Sequence, residues 1–290
     1  MSMNRKPLPP WLARPIPIPG RRANVKSVLD DGGLETVCEN ASCPNLAECY
    51  GRGTATFMIL GSVCTRDCRF CGVRHGRPAG VRSEEPQEVA RAVGRMGIDY
   101  AVVTSVTRDD LSDGGAAHFA ATIRAIRSHN PGCRVEVLTP DFAGSPEAIE
   151  AVGDASPEVY GHNVETVPRL YPHVRPGAQF NRSIRLLEKA KSAHRGVLTK
   201  SGLMLGLGEK RSEVTDTLRR LLDVGCDIVT MGQYLQPTGE SLPVERYLPP
   251  EEFEQLEDLA RSIGFRAVAS APLVRSSYHA SDLAAARRPD

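Results

Sequence analysis

Six cysteines between Cys38 and Cys71 are the residues of this sequence best suited to chemistry. They form two triplets. Cys38, Cys43 and Cys49 are separated by four and five residues; Cys64, Cys68 and Cys71 are separated by three and two. Odd-numbered sets pair poorly as disulfides but suit two iron–sulfur clusters. A [4Fe–4S] cube takes four ligands, usually thiolates, so three cysteines leave one iron able to hold something else. Zinc is the rival occupant. Its sites commonly show short cysteine pairs that complete four ligands, and here only Cys68 and Cys71 are so close. Cys133 and Cys226 stand alone and read as small buried hydrophobes.

The second triplet, with Phe70 before its last cysteine, resembles the signature of the radical S-adenosylmethionine (SAM) superfamily. The resemblance implies that Cys64, Cys68 and Cys71 hold a [4Fe–4S] cluster whose open iron chelates SAM. One electron then cleaves the sulfonium to a 5′-deoxyadenosyl radical, with Phe70 near the adenine. The upstream triplet and the stretch Arg275-Ser276-Ser277-Tyr278 are similar to the lipoyl synthase family. That likeness implies a second [4Fe–4S] cluster on Cys38, Cys43 and Cys49, with Ser277 as fourth ligand, consumed as a sulfur donor. Residues alone do not separate Ser276 from Ser277. The implied substrate is an octanoyl chain on a lysine of a lipoyl carrier domain, in a 2-oxoacid dehydrogenase E2 subunit or the glycine cleavage H protein. Sulfur enters at C6 and C8, with ferredoxin or flavodoxin as electron donor. The rivals are another radical SAM reaction, such as biotin-synthase-like sulfur insertion or methylthiotransfer, and a two-cluster electron carrier.

By the same resemblance, Gly114 and Gly115 meet the SAM amino group, Asn163 and Glu165 contact SAM, and Gly206 lies near the adenine. Each has a plainer reading. The first pair sits beside acidic residues that suit a helix N-terminus. Asn and Glu serve turns and caps. A bare glycine repeat is weak evidence. Gln233 at a strand end faces the site or caps the strand. Met204 and Leu205 line an acyl slot or merely fill the core. His75, His118, His129, His173 and His194 show no metal-ligand spacing.

The elements that must position these residues follow a repeating pattern. Short apolar runs occur at 56–60, 100–104, 134–138, 159–162, 199–205 and 227–231, with a possible seventh at 265–269. Helical patterns separate them: Val89, Val93 and Met96 share a face, as do Phe119, Ile123 and Ile126, and further stretches run over 181–194, 213–224 and 250–263. Alternating strands and helices mean parallel strands with helical crossovers. The expected fold is α/β: a partial (β/α)6 TIM-like barrel over 54–270. An N-terminal extension, 1–53, carries the first triplet, and a C-terminal segment, 271–290, closes the site. Chemistry in such barrels sits at the strand C-termini, where the second triplet falls.

Residues 1–26 are proline-rich and basic, with Lys6, Arg14, Arg21, Arg22 and Lys26, and suggest an extended solvated tail, a strap, or an arm for an acidic partner, anchored by Trp11. Residues 280–290 are expected to fray. Lys plus Arg number 36 against 35 Asp plus Glu, a balance that gives no sign of nucleic-acid binding. No apolar run approaches the roughly 18 residues of a membrane span. The lack of a secretory core and the need for reduced thiols place the chain in the cytoplasm.

Overall fold

The computed structural model describes residues 7–13, 21–194 and 196–286. Lys6, Arg14, the proline run 14–20 and the end of the tail, 287–290, lie outside them. Within 7–13, Leu12 is buried while Trp11 is 40% exposed, so Trp11 is not the anchor. The helix α1 (Arg21–Gly32) takes up residues 21–26, the last part of the expected tail or strap. Val25, Val28 and Leu29 recur at helical spacing and are buried.

The N-terminal extension continues through β1 (Glu35–Thr36), α2 (Val37–Asn40) and α3 (Leu46–Gly51). Thr36 caps α2 by accepting from the Glu39 amide at 3.3 Å. The strand β2 (Thr56–Ile59) opens the barrel, and the parallel pair β3 (Val63–Cys64) and β4 (Arg74–His75) brackets the loop of the second triplet. The repeating units follow: α4 (Glu85–Met96), β5 (Tyr100–Ser105), α5 (Ala116–His129), β6 (Arg134–Leu138), α6 (Pro146–Asp154) and β7 (Val159–Gly161). Then come α7 (Tyr171–Val174), α8 (Phe180–Ala193), β8 (Leu198–Leu205), α9 (Arg211–Asp223), β9 (Ile228–Gln233), α10 (Pro250–Ser262), β10 (Ala267–Ser270) and α11 (Ala280–Ala285).

The large sheet runs β1-β2-β5-β6-β7-β8-β9-β10. Its neighbours are parallel except β1, which lies antiparallel on β2. The edges do not pair with each other among the described residues. This is the expected partial barrel, with the seventh strand present. Strands buried on both faces carry near-continuous apolar runs, and Val103, Val135, Val137, Tyr160, Val229 and Met231 are fully enclosed.

The end of the chain corrects one expectation. Residues 280–285 do not fray; they form α11. Ala280, Leu283 and Ala284 pack on Tyr100, Val159, Ile228 and Ala267, residues near the starts of their strands. Burial against the barrel floor offsets the entropy of ordering the tail.

Candidate functional site

The second triplet is presented by β3 and the loop that follows it. The Arg66 amide donates to Cys64 Sγ and the Val73 amide to Cys71 Sγ, both at 3.4 Å. The Cys71 amide donates to the Cys68 carbonyl at 2.9 Å, which makes the tight turn. All three sulfurs border a cavity of about 440 Å³ ringed by the strands' C-terminal ends, and Phe70 lines it too. Burial raises the Cys68 thiol and pushes that of Cys71 up to about 12. Such sulfurs need a positive partner to ionise, and coordinated iron is one.

The first triplet is carried by α2, the turn after it and α3. The Cys43 amide donates to the Cys38 carbonyl at 3.0 Å, and Asn45 Nδ2 donates to the Leu273 carbonyl at 2.8 Å, tying the extension to the C-terminal segment. Thr56 Oγ1 donates to Ser277 Oγ at 2.8 Å. Thr56 also hydrogen-bonds the Cys38 thiol, though burial is the stronger influence and raises that thiol. Ser276 faces elsewhere: its Oγ accepts from Asn163 Nδ2 at 2.6 Å. Of the two serines, Ser277 therefore stands with the first triplet.

Cys38, Cys43 and Ser277 line the same cavity as Cys64, Cys68 and Cys71. Cys49 instead borders a second cavity, of about 620 Å³, shared by Cys38, Cys43 and Ser277. All eight cysteines are free thiols. Among the described residues, no three His, Cys, Asp or Glu side chains converge on one metal ion. A single zinc needs its sulfurs at about 2.3 Å. Three thiols in each set, with the Ser277 hydroxyl beside the first, are the donor chemistry that suits an iron–sulfur cluster.

Between the two sets lies a polar group from the loop after β7. Glu165 has a left-handed backbone (φ 64°). Its amide donates to the Gly202 carbonyl at 2.9 Å, and its carbonyl accepts from the Met204 amide at 2.8 Å. This pairing with β8 offsets the local strain. Burial raises the Glu165 carboxyl, against the opposing charge of Arg175. Asn163 Nδ2 donates to Glu165 Oε1 at 3.1 Å, while Asn163 Oδ1 has no partner. Arg175 donates through Nη1 to the carbonyls of Asn163 (2.9 Å) and Val164 (3.3 Å). Its buried Nε–H has no acceptor. Asn163, Glu165 and Arg175 all line the cavity, and two of their buried polar atoms lack a protein partner.

The sequence did not single out Arg175, which ends a short helix far from the cysteine motifs, or Thr56, which reads as a strand start. Gly114, Gly115 and Gly206 are not among the cavity-lining residues. Asp113 accepts from the Gly115 amide (2.9 Å) and the Ala117 amide (2.8 Å), capping α5. A Cβ on Gly115 would stand 2.3 Å from Leu60 Cδ1, and one on Gly206 2.4 Å from the Arg246 carbonyl; both allow close packing. Gln233 borders the cavity, yet its Nε2 donates to the Leu205, Tyr234 and Arg246 carbonyls, each at 3.0 Å. Met204 lines the cavity and Leu205 is core. Beside the second triplet, Arg66 bonds Asp109 at 2.6 Å and Asp141 at 2.7 Å. No helix among the described residues is long and apolar enough to cross a membrane.

Residues 58–221 match the Radical SAM superfamily model. The lipoyl synthase of Nitrosococcus oceani is 54% identical over 285 residues, covering 98% of this chain and 88% of that one. That of Methylococcus capsulatus is 56% identical over 262 residues, covering 90% and 81%. Among solved structures, methylornithine synthase superposes with a TM-score of 0.57 at 15% identity, covering 82% of this chain and 72% of that one. An [FeFe]-hydrogenase maturase gives 0.57 at 17% identity, covering 70% and 48%. These two likenesses concern the fold.

Proposed function

The chain belongs to the lipoyl synthase family of the radical SAM superfamily, and from that premise we propose which of its residues carry each half of the reaction. Cys64, Cys68 and Cys71 hold the SAM-cleaving cluster. Cys38, Cys43 and Cys49, with Ser277, hold the sulfur donor. The barrel, 54–270, bears the first set, and the flanks, 1–53 and 271–290, bear the second. The enzyme is a radical SAM sulfurtransferase that places two sulfurs, at C6 and C8, on a protein-bound octanoyl chain. When bound, the two [4Fe–4S] clusters and SAM supply the electron, the hydrogen-abstracting radical and the sulfur that an unactivated C–H bond demands.

The chain's own residues orient and enclose the reactants. Arg175 offers its unpaired Nε–H to the SAM carboxylate, and Asn163 offers Oδ1 to a ribose hydroxyl, with Glu165 beside it. Phe70 covers the adenine; Gly114, Gly115 and Gly206 shape the loops around SAM. Met58, Leu203 and Met204 give the octanoyl chain an apolar wall, which excludes water from the radical. The acyl group arrives on the lysine of a carrier domain, an E2 subunit or the glycine cleavage H protein, and ferredoxin or flavodoxin supplies electrons. Cluster-bound thiols favour the reducing cytoplasm.

One observation carries this reading: Cys38, Cys43 and Ser277 border the same cavity as Cys64, Cys68 and Cys71. Cys64→Ala is expected to stop 5′-deoxyadenosine formation. Cys43→Ala is expected to leave that product and stop sulfur insertion into an octanoylated carrier. Dithiolane made by the Cys43→Ala enzyme would overturn the sulfur-donor assignment.

A further inference from the structure

All four residues assigned to the auxiliary set, Cys38, Cys43, Cys49 and Ser277, border an outer cavity, and three of them also border the inner one. Cys64, Cys68 and Cys71 border the inner cavity and not the outer; Cys49 borders the outer and not the inner; Cys38, Cys43, Thr56, Arg275 and Ser277 border both. A sulfur donor that is consumed must be replenished. The inner approach is the one SAM and the acyl chain occupy. We propose that the outer cavity is the port through which iron and sulfide ions reach and leave the auxiliary set, without passing the radical chamber. The proposal rests on the assignment of that set as a cluster site.

The outer chamber's chemistry suits small hydrated ions. Glu48, Asp99 and Asp282 offer carboxylates to ferrous iron, while Arg52 and His279 offer positive or hydrogen-bonding groups to sulfide. At about 620 Å³ it is larger than the inner cavity of about 440 Å³. Part of its wall is the segment 278–282, held to α3 by side-chain contacts. Tyr278 Oη donates to Glu48 Oε1 at 2.9 Å, and Arg52 Nη1 meets His279 Nε2 at 2.9 Å. Both contacts are solvent-exposed, and exposed polar contacts of this kind hold weakly, so the Tyr278 and His279 side chains swing aside while Ala280 stays packed on Tyr100.

The test uses the full chain with Cys64, Cys68 and Cys71 replaced by Ala, so that bound iron reports the auxiliary set alone. Release of that iron to a sulfonated ferrous chelator is followed by absorbance, and reloading with equal amounts of 57Fe(II) and 57Fe(III) plus sulfide by Mössbauer spectroscopy. Ser281→Trp and Asn24→Trp narrow the outer chamber without touching a ligand; Leu235→Trp narrows the inner one. Either outer substitution is expected to slow release and reloading by about tenfold, with Leu235→Trp leaving both unchanged. Arg52→Gln, which loosens the wall, is expected to quicken both. Slowing by Leu235→Trp with no effect of the outer variants would overturn the port. A parent chain that binds no iron would overturn the cluster assignment itself, and a different reading of the same experiment shows it.

Discussion

Gly202 lies within β8, where a Cβ would stand 2.9 Å from Asn163 Oδ1 and 2.9 Å from Thr230 Oγ1. Its missing side chain leaves Asn163 room to face the cavity. Gly202→Ala is expected to weaken SAM binding by about tenfold, or about 1.4 kcal/mol, measured by equilibrium dialysis of the reconstituted protein; unchanged affinity would remove Asn163 from the SAM site. Titration gives a second expectation at this scale. His162 Nδ1–H donates to the Thr139 carbonyl (2.9 Å), which leaves Nε2 to accept from Ser183 Oγ (2.8 Å). Burial foremost, helped by the Arg175 charge, pushes its pKa down to about 4. A histidine with a lower folded than unfolded pKa binds its proton better unfolded. Its stabilisation is therefore full above about 6.5 and is lost as pH falls through about 4, a change of about 3 kcal/mol. Asp141 follows in a lower window. Burial alone would raise its carboxyl, but the Arg66 hydrogen bond and charge prevail and lower it to about 2. Urea unfolding of the cluster-free chain is expected to weaken first between pH 6.5 and 4, and His162→Gln is expected to flatten that first decline. The cysteines were legible because their spacing lies along the chain itself. Arg175 and Thr56 were not, because their neighbours at the site come from distant segments: Arg175 binds the loop after β7, and Thr56 meets Ser277, 221 residues away.

Elements were legible where periodicity was long and strongly apolar. The six main strands and three long helices fall within about two residues of expectation, because β–α units bury their apolar faces regularly. Two of the longer helices escaped notice, α6 and α1. In α6, Ser145 Oγ accepts from the Ala148 amide at 3.2 Å, and Pro146 begins the helix. That start signal, followed by Ala148, Ile149 and Val152, was present in the sequence. The helix α1 was obscured by the proline-rich run before it. The terminal helix α11 has little helical signal of its own; its order comes from the barrel floor, which local sequence does not reveal. Leu283, packed against the floor cluster of Val159, Ile228 and Ala267, tests this. Leu283→Ala is expected to cost about 1–2 kcal/mol, below a fully buried leucine because the site is partly exposed. Hydrogen exchange should quicken in 275–285 and remain slow in β5 and β6. Equal quickening throughout would mean that α11 unfolds only with the barrel.

At the scale of the whole molecule, the segments on either side of the barrel meet one another. Asn45 reaches Leu273, Tyr278 reaches Glu48 and Thr56 reaches Ser277. These contacts join the N-terminal extension and β2 to the segment after β10, so Cys38, Cys43 and Ser277 come to the same cavities through tertiary packing. The second triplet does not use those contacts. Its loop hangs between β3 and β4, is shaped by amide–sulfur contacts and is tied to the barrel's own loops, with the Arg69 amide donating to the Val174 carbonyl at 3.0 Å and the Leu242 amide to the Arg69 carbonyl at 2.9 Å. The two sets should therefore fill independently. Anaerobically reconstituted chain is expected to hold about eight irons, and Ala substitution of all three cysteines in either set to leave about four. Their dependence on the chain ends should differ. Removing residues 275–290 deletes Ser277 and the contacts of Tyr278, and is expected to empty or destabilise the auxiliary set while the Cys64, Cys68 and Cys71 set keeps its iron. Iron and sulfide analysis with Mössbauer spectroscopy distinguishes the two losses. If truncation emptied both sets alike, the second triplet would depend on closure of the barrel's open side, and its local amide–sulfur framework would not be enough to hold it.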